Sequence, residues 1–311
     1  MRILLTGASS FTGLWFAREL ARAGHEVVAT FRRPASDYPD ALRRERVRLA
    51  SEACRPVHGP SFGDDAFLRL IAEGGFDLLA HHAAEVTSYK SPDFDAAAAT
   101  QANTRNLPAV LAAFRAAGGR RVLLTGSVFE GGEGAGSQGL PHFSPYGLSK
   151  ALTAQVFQFH CARAGLALGK FVIPNPFGPW EEPRFTAYLA RSWLAGETAA
   201  CSSPAYVRDN IHVSLLARAY ARFAAELPAE GFTRLNPSGY VESQGAFTLR
   251  FAAELRGRLG LPCAVELKRQ VEFPEPRVRI NTDPVDGGAL GWSVAAAWDE
   301  LADYYRRSGG R

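Results

Sequence analysis

The first thirty residues constrain the fold more than any other stretch. Arg2-Ile3-Leu4-Leu5 is a short apolar run of the kind that forms a buried parallel strand. It leads into Thr6-Gly7-Ala8-Ser9-Ser10-Phe11-Thr12-Gly13, and the segment from Leu14 then reads as a helix closed by Gly24. Val27-Val28-Ala29-Thr30 is a second strand. A strand, glycine turn, helix and strand within about 30 residues is the context a dinucleotide-binding turn requires. Gly7 permits the tight turn and Gly13 lets the helix approach the strand. The helix N-terminus, with Ser9, Ser10, Phe11 and Thr12 around it, offers free amides and a partial positive charge to a pyrophosphate.

A second constraint lies in Ser144-Pro145-Tyr146-Gly147-Leu148-Ser149-Lys150. Tyr146 and Lys150 are four residues apart ahead of a helical segment, so they share one face about a turn apart. A free phenol has a pKa near ~10 and is a poor acid or base at neutral pH. A nearby ammonium stabilises the phenolate and lowers that value, which suits the pair to moving a proton to or from an alcohol.

With both features in place, the chain resembles the extended short-chain dehydrogenase/reductase family, in its nucleotide-sugar epimerase and dehydratase branch. The turn follows the family's Thr-Gly-x-x-Gly-x-x-Gly, with Ser10 at the middle glycine. Asp77-Leu78-Leu79-Ala80-His81-His82-Ala83-Ala84 resembles the strand ending in a double alanine beside the cofactor, and Asn103 matches an asparagine on the next helix. Thr125-Gly126-Ser127-Val128-Phe129-Glu130 resembles Ser/Thr-x-x-Val-Tyr-Gly, with Glu130 in place of glycine. Asn175-Pro176-Phe177-Gly178-Pro179, Val207-Arg208-Asp209-Asn210-Ile211-His212-Val213 and Leu290-Gly291-Trp292 match later family signatures.

The resemblance implies an α/β Rossmann-type doubly wound parallel sheet over residues 1–170. A smaller substrate-binding lobe over 171–311 sends segments back to the sheet. It implies Tyr146 as general acid/base, Lys150 as the charge that lowers its pKa and binds the nicotinamide ribose, and Thr125 as the hydroxyl that orients the substrate, with Ser127 as the other candidate. Gly7, Ser9, Ser10, Phe11, Thr12, Gly13, Ala83, Ala84, Asn103 and Lys150 would line an NAD(P) site. Asn175 and Arg208 would approach a nucleotide diphosphate, with Arg277 or Arg279 as a second phosphate contact. His81 and His82 read as packing or cofactor-wall residues, since no His, Cys, Asp and Glu cluster shows metal spacing. The helices over 93–117 and 146–164 correspond to a family dimer interface, predicting a homodimer. Pro108 would kink the first.

Cofactor choice and reaction type are read from departures. NAD-specific folds place an acid at the end of the second strand. Here Thr30-Phe31-Arg32-Arg33 has none, and Arg32 and Arg33 suit a 2′-phosphate, which favours NADP(H) with NAD still open. Gly126 and Ser127 stand where 4,6-dehydratases carry an acid pair, which argues against dehydration. A C4 epimerase leads, followed by a 4-keto-sugar reductase, then a small ketone or aldehyde reductase and a non-catalytic NADP-sensing protein. Pocket specificity would reside in the irregular segments 86–93, 131–143 and 180–185.

Composition sets the remaining limits. The 311 residues, 47% hydrophobic and 21% charged, suffice for a substantial core. A net charge of +4, with basic residues scattered, does not point to nucleic acid and suits an anionic small molecule. Cys54, Cys161, Cys201 and Cys263 show no paired spacing. With no apolar run near 18 residues and a strand starting at Arg2, the expectation is a cytoplasmic protein with free thiols and no membrane partner.

Overall fold

The computed structural model describes residues 1–308. In chain order it begins with Arg2–Thr6 (β1), Phe11–Arg22 (α1), Glu26–Phe31 (β2), Ala41–Ala53 (α2), Arg55–His58 (β3), Asp65–Gly74 (α3) and Leu78–His81 (β4). Next come Ala96–Asn103 (α4), Leu107–Ala116 (α5), Arg121–Ser127 (β5), Ala135–Gly136 (β6), Pro145–Ala164 (α6), Ala167–Ile173 (β7) and Asn175–Phe177 (β8). Then follow Phe185–Leu194 (α7), Ala199–Cys201 (β9), Val207–His212 (β10), Val213–Glu226 (α8), Phe232–Leu235 (β11), Pro237–Ser238 (β12) and Tyr240–Ser243 (β13). Gln244–Leu259 (α9), Val265–Leu267 (β14), Val278–Ile280 (β15), Asp283–Pro284 (β16) and Val294–Ser308 (α10) complete the series.

The chain divides into two units. The first comprises 1–133, 140–173 and 217–236; among the described residues, the second comprises 134–139, 174–216 and 237–308. The first unit is built on a seven-stranded sheet in the order β11-β7-β5-β4-β1-β2-β3, with every neighbouring pair parallel. This is the doubly wound Rossmann arrangement. Its strand order reverses between β1 and β4, where Thr6 registers with His81. In such sheets the carboxyl ends at the reversal form the ligand crevice.

The strands are near-continuous apolar runs because helices cover both faces. On one face Phe67 and Ile71 of α3, Leu107, Val110, Leu111 and Phe114 of α5, and Phe157 and Cys161 of α6 pack against Leu4, Leu79, Val122, Leu124 and Leu168. Burying each such large side chain contributes roughly 1.5–3 kcal/mol. Elsewhere in the unit Phe16 of α1 stacks on Tyr220 of α8, with ring centroids 3.8 Å apart, and meets Phe171 of β7 edge-on.

The single helix expected over 93–117 is two. Asn106 adopts the left-handed conformation with φ of 51°, and its Nδ2 donates to the Gly63 carbonyl at 2.6 Å. The left-handed turn at Asn106, held by a contact 43 residues away, separates α4 from α5, which restarts with Pro108 in its first turn, where a missing N–H costs nothing. Pro108 opens a helix and does not kink one.

The second unit has an aromatic core. Phe177, Trp193 of α7, Phe247, Phe251 and Leu255 of α9, and Trp298, Leu301 and Tyr305 of α10 form one cluster. Its sheet runs β13-β10-β15-β6, with β8 also pairing with β10. Among the described residues no helix is long and apolar enough to cross a membrane. The four cysteines are free thiols.

Candidate active site

The glycine turn is set by contacts that leave no room for side chains. Gly7 has φ of +81°, and a Cβ there would lie 2.7 Å from the Ala83 amide nitrogen after β4. A Cβ on Gly13 would lie 2.2 Å from the Gly7 carbonyl oxygen. Ser10 caps α1: its Oγ accepts from the Gly13 amide at 3.1 Å and donates to the Gly7 carbonyl at 2.9 Å. Serine at the middle glycine position thus works as a helix cap. Phe11 and Thr12 open the first turn, whose amides have no intrahelical acceptors. With Ala83 and Ala84 half-buried at the end of β4, the turn, the helix terminus and the strand reversal fit a dinucleotide pyrophosphate.

At the end of β2, Arg32 and Arg33 are exposed, as the sequence places them. A third arginine joins them. Arg43, in the first turn of α2, donates to Ser9 Oγ at 3.3 Å. The guanidinium groups of Arg33 and Arg43 lie 5.3 and 5.1 Å from the ring centre of buried Tyr38. Sequence reading did not find Arg43, which reaches the turn from 34 residues away.

Tyr146 lies in the first turn of α6, after the cap Ser144, whose Oγ accepts from the Gly147 amide, and Pro145. The cap and the fixed φ of proline define where the helix starts, and hence where the phenol sits. Tyr89 and Phe94 surround the Tyr146 ring, with centroids 5.2 and 6.1 Å away. One turn on, Lys150 is 5% exposed and its Nζ donates to the Thr125 carbonyl at 2.6 Å. Burial lowers its pKa to about 8; Glu130 opposes that shift and Lys170 adds to it.

Thr125 is buried near the carboxyl end of β5, and its Oγ1 is 3.0 Å from His82 Nδ1. The other face of that ring places Nε2 3.0 Å from Ser10 Oγ and 3.1 Å from Thr12 Oγ1. His82 is therefore a wall residue that touches both the phosphate turn and the candidate catalytic threonine. His81 is packing: its ring contacts those of Phe62 and Phe157, with centroids 4.0 and 5.2 Å away, and Thr6 Oγ1 is 3.0 Å from its Nδ1. Burial pushes both imidazoles down to about 3. No cluster among the described residues is suited to a metal ion.

Ser127, the other candidate hydroxyl, accepts from the Phe129 amide through its Oγ at 3.2 Å. Asn103 is buried at the end of α4 and ties the segment after β4 to α6, accepting from the Glu85 amide at 2.7 Å and donating to Thr153 Oγ1 at 3.2 Å. Glu130 is fully buried. Its carboxylate accepts from the Ser127 amide at 2.7 Å and pairs with Lys170, which also bonds Glu133 at 2.8 Å. Glu133 in turn holds Arg234 and Asn236.

Within the second unit, Arg208 is nine-tenths buried on β10. Its Nη1 donates to the Val207, Pro276 and Arg277 carbonyls and its Nη2 to Glu275 at 2.9 Å, over the Tyr206 ring. Asn175 donates to the Asp209 carbonyl at 3.3 Å. Arg277 is exposed, with its guanidinium 4.0 Å from the Phe273 ring centre, whereas Arg279 is buried. His212 ends β10, and its Nδ1 lies 2.7 Å from Ser214 Oγ in the first turn of α8.

Comparison with known proteins agrees with this fold. A UDP-glucose 4-epimerase of Mycolicibacterium smegmatis is 27% identical over 323 residues, covering 96% of each chain. The crystal structure of UDP-glucose 4-epimerase from Thermotoga maritima superposes with a TM-score of 0.73 at 19% identity, over 99% of both chains. UDP-glucuronic acid 4-epimerase from Bacillus cereus gives 0.74 at 17% identity, over 99% of this chain and 100% of that one. The family model described as NAD dependent epimerase/dehydratase matches residues 3–233, which include the glycine turn, Thr125, Tyr146 and Lys150, and the chain belongs to that family.

Proposed function

We propose that this protein is an NAD(P)-dependent nucleotide-sugar epimerase acting at C4 through a transient keto sugar. The observation that carries the reading is the contact of buried Lys150 with the Thr125 carbonyl, one helical turn from Tyr146. It ties the candidate acid/base helix to the strand bearing the candidate substrate-orienting hydroxyl. A bound nicotinamide supplies the hydride acceptor and donor. Tyr146 takes the proton of the sugar hydroxyl as the carbon is oxidised and returns it on reduction. Lys150 holds the phenolate by its charge, and Thr125 orients the sugar oxygen. Gly7, Ser9, Ser10, Phe11, Thr12, Gly13, Ala83 and Ala84 hold the cofactor, with Asn103 bracing the wall.

The relatives named for UDP-glucose and UDP-glucuronic acid support a uridine diphosphate sugar as substrate. Asn175, Arg208 and Arg277 are the diphosphate ligands in this reading, and Arg208 releases Glu275 when it takes up that role. A homodimer through the helices of 93–117 and 146–164 is part of the proposal; Leu152 and Phe159 of α6 are exposed apolar side chains there.

Arg32, Arg33 and Arg43 support NADP(H), because guanidinium groups match a 2′-phosphate and no acid stands at the end of β2, in Thr30-Phe31-Arg32-Arg33, to receive a free ribose hydroxyl. That preference also sustains the second reading, an NADPH-dependent 4-keto-sugar reductase. The dinucleotide released by denaturing freshly purified protein separates the two. Stoichiometric retained cofactor supports the epimerase. Empty protein that binds NADPH more tightly than NADH supports the reductase. Replacing Tyr146 by Phe abolishes turnover and spares cofactor binding; surviving turnover refutes the acid/base role.

A further inference from the structure

We propose that His82 is a positioning residue that sets the direction of the Thr125 hydroxyl: the neutral ring, protonated on Nε2, accepts the Thr125 proton on Nδ1, so that Thr125 meets the substrate as a hydrogen-bond acceptor. The inference rests on the reading of Thr125 as the substrate-orienting group.

The argument is a count of protons. A serine hydroxyl has one proton and two lone pairs. Ser10 Oγ lies 2.9 Å from the Gly7 carbonyl oxygen, which has no proton to offer, so the hydroxyl donates there. The Gly13 amide occupies one lone pair of Ser10 Oγ at 3.1 Å. The remaining contact, 3.0 Å to His82 Nε2, then has a proton only if the ring supplies it. Thr12 Oγ1, 3.1 Å from the same nitrogen, shares that N–H. A neutral imidazole protonated on Nε2 has a lone pair on Nδ1. The 3.0 Å contact from Nδ1 to Thr125 Oγ1 is therefore made by the threonine proton, and Thr125 keeps its lone pairs for other partners. Placing the Ser10 proton on His82 instead would leave two oxygens 2.9 Å apart with no proton between them.

The surroundings hold the ring in this state. Phe16 packs edge-on against it at 5.0 Å. The charged group facing it is Lys150, His81 is its chain neighbour, and the Tyr220 phenol faces Thr125. Burial and the Lys150 charge both oppose an imidazolium. The serine at the middle position of the glycine turn and the histidine before the double alanine thus form one device, which links the phosphate turn to the Thr125 hydroxyl.

The test starts with the unliganded full chain labelled with 15N-histidine. Two-bond nitrogen–proton correlation distinguishes the two neutral tautomers and the cation for each of the seven histidines. His82 is assigned by the signal missing in His82→Gln, or in His82→Asn if the first fails to fold. The expected spectrum shows His82 neutral and protonated on Nε2 from pH 5.5 to 8, with the Nδ1–H form appearing in Ser10→Gly. A wild-type ring protonated on Nδ1, or an imidazolium at neutral pH, would overturn the proposal. The second arm is a double-mutant cycle with UDP-galactose as probe. His82→Gln is expected to lower kcat at least about tenfold, the equivalent of one directed hydrogen bond, with KM unchanged. It should cost nothing further in Thr125→Ala. Equal losses in both backgrounds would mean that His82 acts only as structure. Full turnover in Thr125→Ala would instead refute the role of Thr125, an outcome independent of the tautomer.

Discussion

Lys150 donates to the carbonyl of Thr125, so the ammonium carried one helical turn after the candidate acid/base is held by the backbone of the residue that would orient the substrate. Its burial brings its pKa down to about 8. As pH rises through that value the ammonium is lost, and with it the stabilisation of the Tyr146 phenolate. The rate at saturating substrate should therefore fall on the alkaline side with a midpoint near 8. Lys150→Met should lose about 100-fold or more and no longer show that limb, which a pH–rate profile of kcat checks.

The buried pair of Glu130 and Lys170 should be needed for both stability and tuning. Glu130→Gln leaves Lys170 with Glu133 and removes the negative charge that raises the Lys150 pKa. Breaking such a pair costs about 3 kcal/mol, whereas replacing both partners costs less. Urea unfolding should show that loss for Glu130→Gln, with part of it recovered in Glu130→Gln/Lys170→Met. The alkaline limb of the pH–rate profile should move to lower pH in Glu130→Gln.

In the second unit, Glu181 should make stability depend on pH in a direction opposite to most carboxylates. Its side chain is buried and bonded by Thr186 and Tyr305, and burial raises its pKa from 4.5 to about 7. The unfolded chain releases this proton near the ordinary value, while the folded chain keeps it until about pH 7. The contribution is fully present below pH 4.5 and lost as pH rises through 7, on the order of 3 kcal/mol in all. Chemical denaturation from pH 4 to 8 should show that decline, and Glu181→Gln should flatten it.

The Rossmann order was legible because it depends on local patterns: an apolar run, a glycine turn and a capped helix recur along the chain at short range. That Tyr146 and Lys150 fall in the opening turns of α6, and Thr125 near the carboxyl end of β5, was legible for the same reason. What the sequence did not reveal is carried by distant pairs. Arg43 reaches Ser9 across 34 residues, and Glu130 meets Lys170 across 40. Glu130 was visible as a departure from the family glycine, but the meeting of its carboxylate with Lys170 of β7 was not. The break at Asn106 depends on a bond to Gly63 that no helical periodicity records.

The most direct measurement is to incubate the purified protein with UDP-glucose, UDP-galactose and UDP-glucuronic acid and follow the sugar protons by NMR, together with the redox state of the dinucleotide. The account predicts interconversion of a C4 epimer pair with no net change in the cofactor, abolished in Tyr146→Phe. No epimer from any of the three, with NADPH oxidised one-for-one against a supplied UDP-4-keto sugar, would contradict the epimerase reading and leave the reductase.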